Sequence, residues 1–236
     1  MCKIDKITIP KTVTIIEDGA FLNVFKIGDF EVDEKSPILK NVDEIIYTKS
    51  GKTLVMATGK VPNIVTVLDG TEIIGEGAFY CNNNVQKVKL PDGLIRLDSS
   101  AFKGCKSLTQ INLPSTLTDL GYSKFANDSN LKDIGGDTLP PLVTIIYSGV
   151  FRGCDKLNSF TIPQSVTTVG MEAFDNDTIK FENYKNLKKI DMVAFHSCTI
   201  VDEKAKEYIL NLNSETITTS KSYGEGSIQE YRFNDI

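Results

Sequence analysis

Cysteine is the residue type in this chain with the widest possible chemistry, and four of the five cysteines recur at similar places. Cys105, Cys154 and Cys198 each lie three residues after a phenylalanine, and Cys81 lies two residues after one. Thiolates bind zinc, form disulfides and act as nucleophiles. None of these cysteines forms a CxxC pair, and an odd total does not suit a disulfide framework. Because the place recurs at a fixed period, we expect small core side chains that stay reduced, and a free thiol at Cys2.

Other residues that could do chemistry stand in unsuitable settings. His196 and Cys198 would be a base and a nucleophile, but side chains two residues apart on a turn rarely face each other. His196 also takes the solvated place that Lys103 holds in a similar segment. Residues 50–53 (Ser-Gly-Lys-Thr) are similar to the end of a phosphate-binding loop, yet Ile46 stands where its first glycine is required. We therefore expect neither a catalytic dyad nor a nucleotide site.

Acidic residues are scattered, which argues against a hydrolase that works with two carboxylates. The acidic pairs at residues 33–34 and 202–203 lie at a predicted turn and a predicted helix start, where acids are common. Asn127 and Asn176 begin glycosylation sequons in polar turns, accessible in a eukaryotic source. We expect no enzyme, no cofactor and no metal site.

Composition narrows the function further. The chain has 236 residues, 26 of them basic and 31 acidic, for a net charge of −5, which gives no sign of a nucleic-acid footprint. No apolar run approaches the roughly 20 residues that span a bilayer. The first residues contain no apolar core of a signal peptide. We expect one or two domains without membrane insertion.

A repeat of about 23 residues organises the chain. Segments 7–21, 88–102, 111–125 and 160–174 follow the same course, and each ends in phenylalanine. We call this recurring residue the marker Phe. Its steps are 58, 23, 23, 26, 23 and 21 residues, and the first step spans two units. The marker residues are Phe21, Phe79, Phe102, Phe125, Phe151, Phe174 and Phe195.

Each unit predicts a short strand, a turn and a buried ring. Val88 and Leu90 alternate onto one face of a strand, and Pro91 ends the strand because it lacks an N–H. A second apolar pair, Leu94 and Leu97, precedes the Ala-Phe turn. Such faces are buried only when units stack, which forms one core and a long parallel sheet. We predict eight strands that begin near Ile7, Phe30, Val65, Val88, Ile111, Ile134, Phe160 and Ile179.

Irregular segments interrupt the repeat. Residues 45–56 predict a hairpin around Gly51, so an insertion at about residues 33–62 replaces one Ala-Phe turn. The unit at 134–141 gains three residues and is expected to bulge.

We assign residues 1–200 to the solenoid and 201–236 to a C-terminal cap or tail. Within the C-terminal segment, residues 202–210 predict a short helix capped by Asp202. Residues 214–236 are polar with β-branched residues at 217–219, which suggests a strand-bearing cap or an ordered tail.

The pattern L-x-x-I-x-(I/L)-P-x-x-(L/V)-x-x-(I/L)-G-x-x-A-F-x-x-C resembles the BspA-like class of leucine-rich repeats. Residues 101–105 and 108–114 match it nearly throughout, and the hairpin at 47–54 resembles the variant coil of that class. The resemblance covers roughly residues 4–200. The sequence departs from it at Leu68, which replaces the Pro, at Lys124, which replaces the Ala, and in the expanded fifth unit.

The resemblance implies an α/β leucine-rich-repeat solenoid, a right-handed, β-rich superhelix. Short parallel strands would line its concave face, and turns and short helical segments its convex side. Similar proteins are secreted or held at the surface of bacteria and some protists, where they bind host proteins or cells. It therefore implies a non-catalytic extracellular or cell-surface scaffold for adhesion, with a host protein as partner. The alternatives are a structural spacer or stalk and, more remotely, a carbohydrate-active enzyme.

The outward residues of the predicted strands would form the binding surface. They change from acidic in the second coil to basic in the fourth and neutral in the fifth. This mixed surface lacks the basic stripe that nucleic acid requires and the repeated aromatic platforms of a sugar-binding groove, and it suits a protein partner. The candidate binding residues are Lys6, Asp29, Glu31, Lys87, Lys89, Gln110, Asn112, Asp133 and Thr161.

Overall fold

A computed structural model of the chain describes residues 4–17, 20–21, 27–157, 159–175, 178–191, 193–196 and 198–219. These residues wind as a solenoid of about eight coils, in which short strands of successive coils pair in parallel. Every coil except the expanded fifth unit contributes one strand to what we call the first-strand column. Its strands are β1 (Ile4–Ile9), β2 (Ile27–Val32), β6 (Ile64–Thr66), β8 (Lys87–Lys89), β10 (Gln110–Ile111), β12 (Ser159–Ile162), β15 (Thr178–Phe181) and β18 (Thr199–Ile200).

A proline turn leads from the first strand to a second strand in most coils. The carbonyl oxygen of Pro91 accepts from Leu94 N–H at 3.1 Å, and the prolines at 10, 114, 140 and 163 make the same bond at the same length. Because proline ends the ladder and fixes φ, this turn recurs at the same place in each coil. The second-strand column consists of β5 (Thr53–Ala57), β7 (Ile73–Ile74), β9 (Arg96–Leu97), β11 (Ile145–Ile146), β13 (Thr168–Val169) and β16 (Lys189–Ile190).

The marker Phe rings form one buried stack along the solenoid, as the repeat predicts. Consecutive ring centroids from Phe79 to Phe195 are 4.8, 5.6, 5.5, 5.7 and 5.8 Å apart, with planes within 20° of parallel. The coils are also bonded here, since Phe102 N–H donates to the Lys124 carbonyl at 3.0 Å. In the last two coils the marker residues pair as strands β14 (Phe174–Asp175) and β17 (Phe195–His196). Phe21 lies outside the stack and packs edge-on against Phe30.

The insertion is an antiparallel meander that divides the core. The predicted hairpin is confirmed as β4 (Ile45–Thr48) and β5, and a further strand, β3 (Leu39–Val42), pairs with β4. Both faces of β4 are buried. Ile46 packs with Phe30 in an N-terminal apolar cluster, whereas Tyr47 packs in the main cluster, which extends to the C-terminal helix. The meander therefore lies between the N-terminal apolar cluster and the main cluster.

The expanded fifth unit bulges out of the first-strand column. Asp133 pairs singly with Gln110 and Thr138 singly with Thr161, and residues 134–137 between them join no strand. The prediction of a strand near Ile134 is therefore wrong. Gly135 has φ +91°, and a Cβ there would lie 2.8 Å from the Asn112 Cα, so the bulge requires glycine.

The C-terminal end has one more strand and a longer helix than the sequence predicts. β18 pairs with β15, although the repeat pattern stops at Phe195. Helix α1 (Glu203–Thr219) begins as predicted at Asp202, whose Oδ1 accepts from Lys204 N–H at 2.9 Å. The helix continues through residues 217–219, so the strand expected there is wrong, because β-branched residues disfavour a helix only weakly. Residues 220–236 lie outside the described part of the chain. A single 3₁₀ turn, Tyr184–Asn186, packs against α1.

Candidate binding surface

The outward residues of the first-strand column form what we call the strand face. Within each sheet the parallel register aligns them in rows, so Lys87 lies between Ile64 and Gln110, and Lys89 lies beside Thr66. Strand alternation places Val88 in the core and leaves Lys87 and Lys89 exposed. The predicted outward positions are therefore correct on these strands.

Several candidate residues form ion pairs or hydrogen bonds with a neighbouring coil. Lys6 Nζ and Glu31 Oε1 form an exposed ion pair at 2.8 Å across the first two coils. Gln110 Nε2 donates to Asp133 Oδ2 at 2.7 Å. Asn112 makes two hydrogen bonds to the backbone of the preceding coil. Its side-chain amide accepts from Leu90 N–H at 2.7 Å and donates to the Leu90 carbonyl at 3.0 Å. These contacts hold neighbouring coils in register.

Lys87 and Lys89 differ from the other charged candidates. Among the described residues, neither amine has a carboxylate within ion-pair distance, and Ile64 beside them is 60% exposed. Thr161 is half-buried next to the bulge. Asp29 lies on β2 in register with Lys6, but its side chain lies outside the described part of the structure.

The strand face is not one continuous ladder. β1 pairs with β2, β8 pairs with both β6 and β10, and β15 pairs with both β12 and β18, as three separate sheets. The meander follows β2, and the bulge at 134–137 separates β10 from β12. The gradient from an acidic second coil to a basic fourth coil therefore crosses a break. Within the described residues, the central sheet holds two lysines that have no ion-pair partner.

Three cysteines are buried, as expected for core residues. Within the described part of the chain, Cys105, Cys154 and Cys198 form no disulfide, and Cys105 Sγ donates to the carbonyl of Phe79 at 2.9 Å. Burial, with the nearby charge of Asp128, raises the pKa of the Cys105 thiol well above its usual range, which disfavours a nucleophilic thiolate. We predict that reductant does not change the stability of the protein.

Cys81 has a different role from the one predicted. It is only half-buried and has φ +53°, in the turn position that Gly104, Asn127 and Gly153 occupy with φ between 66° and 77°. A Cβ at Gly104 would lie 2.9 Å from Cys81 Sγ, so the missing side chain there leaves room for the thiol. The offset of one residue from the other cysteines was the signal for this difference.

Two buried ionisable residues flank Phe125, and the sequence pattern did not identify either as buried charge. Lys124 Nζ donates to the carbonyl of Leu97, and burial lowers the pKa of Lys124 to about 8. Asp128 Oδ1 accepts from Cys105 N–H at 2.7 Å, while its Oδ2 has no partner among the described residues. Burial raises the pKa of Asp128 well above its ordinary value.

The remaining candidate chemistry has little geometric support. A cleft of about 330 Å³ is lined by residues 14–17 and 20–21, by the meander and by residues 75–77. Its mixed polar and apolar lining includes two carboxylates, Glu17 and Glu76. Among the described residues, no three histidines, cysteines or acids are grouped to hold a metal, and no helix is long and apolar enough to cross a membrane.

The structure describes some of the other residues singled out from the sequence and not others. Asn127 is exposed in its turn. Residues 50–52 lie in the hairpin turn, where Gly51 has φ +81°, and Thr53 begins β5. Cys2, Asn176 and the side chain of His196 lie outside the described part.

Solved structures similar to this chain are bacterial leucine-rich repeat proteins. A leucine rich cell surface protein from Faecalibacterium prausnitzii is 28% identical, with a TM-score of 0.68 over 75% of this chain and 48% of that one. The pneumococcal vaccine antigen PcpA is 22% identical, with a TM-score of 0.64 over 76% of this chain and 45% of PcpA. A leucine-rich repeat protein from Eubacterium ventriosum is 20% identical, with a TM-score of 0.65 over 84% of this chain and 60% of that one.

The last two likenesses show the fold alone, and this chain spans 45–60% of the length of these three proteins. A comparison with curated proteins finds no match. A family model described as the BspA type leucine rich repeat region matches residues 1–54 and 72–202, with six copies of the repeat. The chain therefore belongs to the BspA-type leucine-rich repeat family.

Proposed function

We propose that this protein is a non-catalytic scaffold that binds a protein partner at the cell surface or outside the cell, through the strand face. The observation that carries the proposal is the pair Lys87 and Lys89 on β8. Both side chains are exposed, point to the same face and lack an ion-pair partner among the described residues. Elsewhere on this face Lys6 and Asp133 are already occupied by side chains of neighbouring coils.

The surroundings of the two lysines favour a partner that is both acidic and apolar. Ile64 lies in register with Lys87 and exposes most of its side chain. An acidic partner segment with one apolar side chain would match this arrangement, and charge would mainly set its orientation and rate of encounter. Cell-surface placement is supported by the family and by the printed description of the relative from Faecalibacterium prausnitzii. Adhesion to host proteins is the role we infer for such a surface.

A binding comparison on immobilised protein tests the proposal. Wild type, Lys87→Ser with Lys89→Ser, and the control Lys6→Ser with Glu31→Ser would be presented with extracellular matrix and cell-surface proteins. We expect the β8 variant to bind at least about fivefold more weakly, equivalent to about 1 kcal/mol, and with less salt dependence. The control should bind like wild type, since its two charges neutralise each other.

Unchanged binding by the folded β8 variant would move the site to the convex turns, the hairpin around Gly51 or the terminal cap. If no extracellular protein binds the wild type, the spacer or stalk alternative is the better account.

A further inference from the structure

A pair of exposed tyrosines lies away from the strand face, beyond the second-strand column. Tyr122 is 56% exposed and Tyr147 is partly exposed, and their ring centroids are 4.7 Å apart with planes tilted by 52°. Among the described residues, neither hydroxyl has a hydrogen-bond partner. The next coil continues the apolar surface with Met171, which is 50% exposed.

The repeat itself shows that folding does not need these rings. Ser99 and Ser148 occupy the place of Tyr122 in the neighbouring coils, and Gly121 and Gly170 occupy the place of Tyr147. Because both neighbours of Tyr147 are glycines, no side chain at the equivalent positions covers its ring. The two tyrosines therefore add an aromatic surface to a coil that folds equally with small residues.

A second tyrosine pair in the molecule illustrates the structural use of such a contact. Tyr184 and Tyr208 have ring centroids 5.6 Å apart, and the Tyr208 hydroxyl donates to the Leu187 carbonyl at 3.1 Å, which joins α1 to the last coil. The Tyr122–Tyr147 pair holds no comparable element in place.

The charged groups beside the exposed pair are mixed, with one more acid than base. Arg96 and Asp98 form an ion pair at 2.7 Å within one coil. Asp119 lies close enough to raise the pKa of Tyr147, after the larger effect of burial, and it also acts on the buried amine of Lys124. Glu76 acts on the same amine, so three acidic groups and two basic groups lie on this side of the solenoid. Asp119 Oδ1 accepts from Gly121 N–H, whereas its Oδ2 has no hydrogen-bond partner among the described residues.

We propose that Tyr122, Tyr147 and Asp119 form a binding site for a neutral sugar. A pyranose has apolar faces that pack on aromatic rings and hydroxyl groups that both donate and accept hydrogen bonds. The free carboxylate oxygen of Asp119 and the two tyrosine hydroxyls supply the polar partners. The excess of acidic groups disfavours an anionic ligand. This surface is separate from the strand face and does not depend on its function.

Tyrosine NMR on the whole chain tests the site directly, because the protein has eight tyrosines and no tryptophan. Protein with ¹³C-labelled tyrosine rings would be titrated with cellotetraose, maltotetraose and mannotetraose. We expect at least one of them to shift the two signals that disappear in Tyr122→Ser and Tyr147→Ser, while the signals of Tyr184 and Tyr208 stay in place. The double serine variant, which uses the residue of neighbouring coils, should bind at least about tenfold more weakly, equivalent to about 1.4 kcal/mol.

Further variants separate the contributions and the two surfaces. Tyr122→Phe with Tyr147→Phe keeps the rings and should lose less affinity than the serine variant. Lys87→Ser with Lys89→Ser should leave sugar binding unchanged, which distinguishes this site from the strand face. The proposal is overturned if none of the three sugars shifts these two signals, or if tetragalacturonate binds as well as the neutral sugars. An arginine-containing peptide that shifts them when sugars do not would make the pair a protein contact instead.

Discussion

Lys124 places a charged side chain where every other stacked coil has Ala or Val. The structure accommodates it because residue 121 is glycine, and a Cβ there would overlap the amine. The amine donates to the Leu97 carbonyl inside the solenoid, and Asp119 nearby partly stabilises its charged form. Desolvation still dominates, so the folded protein favours the neutral amine more than the unfolded chain does.

Lys124 therefore predicts a specific dependence of stability on pH. The unfolded chain keeps the proton up to the ordinary pKa of 10.5, whereas the folded protein loses it near pH 8. Between these values the unfolded state binds more protons, so the free energy of unfolding should rise with pH. The full gain is about 3 kcal/mol, since one pKa unit is equivalent to about 1.4 kcal/mol.

Urea unfolding of wild type and Lys124→Met at pH 7.5 and pH 9.5 measures this gain. The methionine keeps most of the side-chain volume without titrating, so the wild type should approach or exceed its stability only at the higher pH. Parallel pH profiles for the two proteins would show that the amine is solvated.

The marker ring is the residue on which each coil most depends. Phe102 lies between Phe79 and Phe125 in the stack and is fully buried. Phe102→Ala should lower the free energy of unfolding by about 3–5 kcal/mol, from lost burial and the cavity left behind. Denaturant unfolding measures this effect, with Ile95→Ala, an exposed position, as the control. A nearly neutral Phe102→Ala would mean that the coil register is wrong.

At the scale of elements, the third coil shows how an insertion compensates for a departure from the repeat. Leu68 stands at the place of Pro91 and brings an N–H that proline lacks. That N–H donates to the hydroxyl of the buried Tyr47 at 3.3 Å, from the meander strand β4. The Leu68 carbonyl still accepts from Thr71 N–H at 3.1 Å, so the turn keeps its form. The meander and the missing proline therefore belong together.

A double-mutant cycle tests this coupling. Tyr47→Phe leaves the Leu68 N–H without its partner and should cost about 1–2 kcal/mol of stability. In a Leu68→Pro background there is no N–H to satisfy, so the same change should cost much less. Equal costs in both backgrounds, measured by thermal or denaturant unfolding, would refute the role of this hydrogen bond.

Periodic elements were predictable from the sequence, and the aperiodic ones were not. The ring stack and most first strands follow from the marker Phe and the apolar pairs, which repeat in phase. β3 was not predicted because Leu39–Val42 belongs to the insertion and has no counterpart in other coils. The strand predicted near Ile134 does not form because this unit contains three extra residues. Packing decides where such an insertion leaves the repeat, and the sequence pattern does not show it. Of the candidate site, exposure on β8 followed from alternation, but the pairing of Lys6 with Glu31 depends on neighbouring coils and required coordinates.

The Tyr122–Tyr147 pair was missed for a related reason. The two residues belong to different coils and to different places in the repeat. Comparison of unit with unit would have marked each as an unusual large residue, but would not have shown that they meet.

At the scale of the molecule, the solenoid offers surfaces of different character on different sides. Coils contact mainly their sequential neighbours, so stability is distributed along the axis and side chains on the outer faces are free to vary. The strand face carries two exposed lysines in its central sheet, without an ion-pair partner in the described part of the chain, and another side carries the tyrosine pair. The meander and the bulge break the strand face into three sheets, which limits any single contact to one of them.

The central claim, that a protein partner binds the central sheet of the strand face, is tested most directly by photo-crosslinking. A crosslinking residue would replace Thr66, which is exposed beside Lys89, or Thr118, which is exposed on another side of the coil. Both proteins would be presented to extracellular matrix and intact cells. We predict a protein adduct from position 66 that is suppressed by Lys87→Ser with Lys89→Ser, and little adduct from position 118. Equal adducts from both positions, or an adduct at 66 that ignores the two lysines, would contradict the claim.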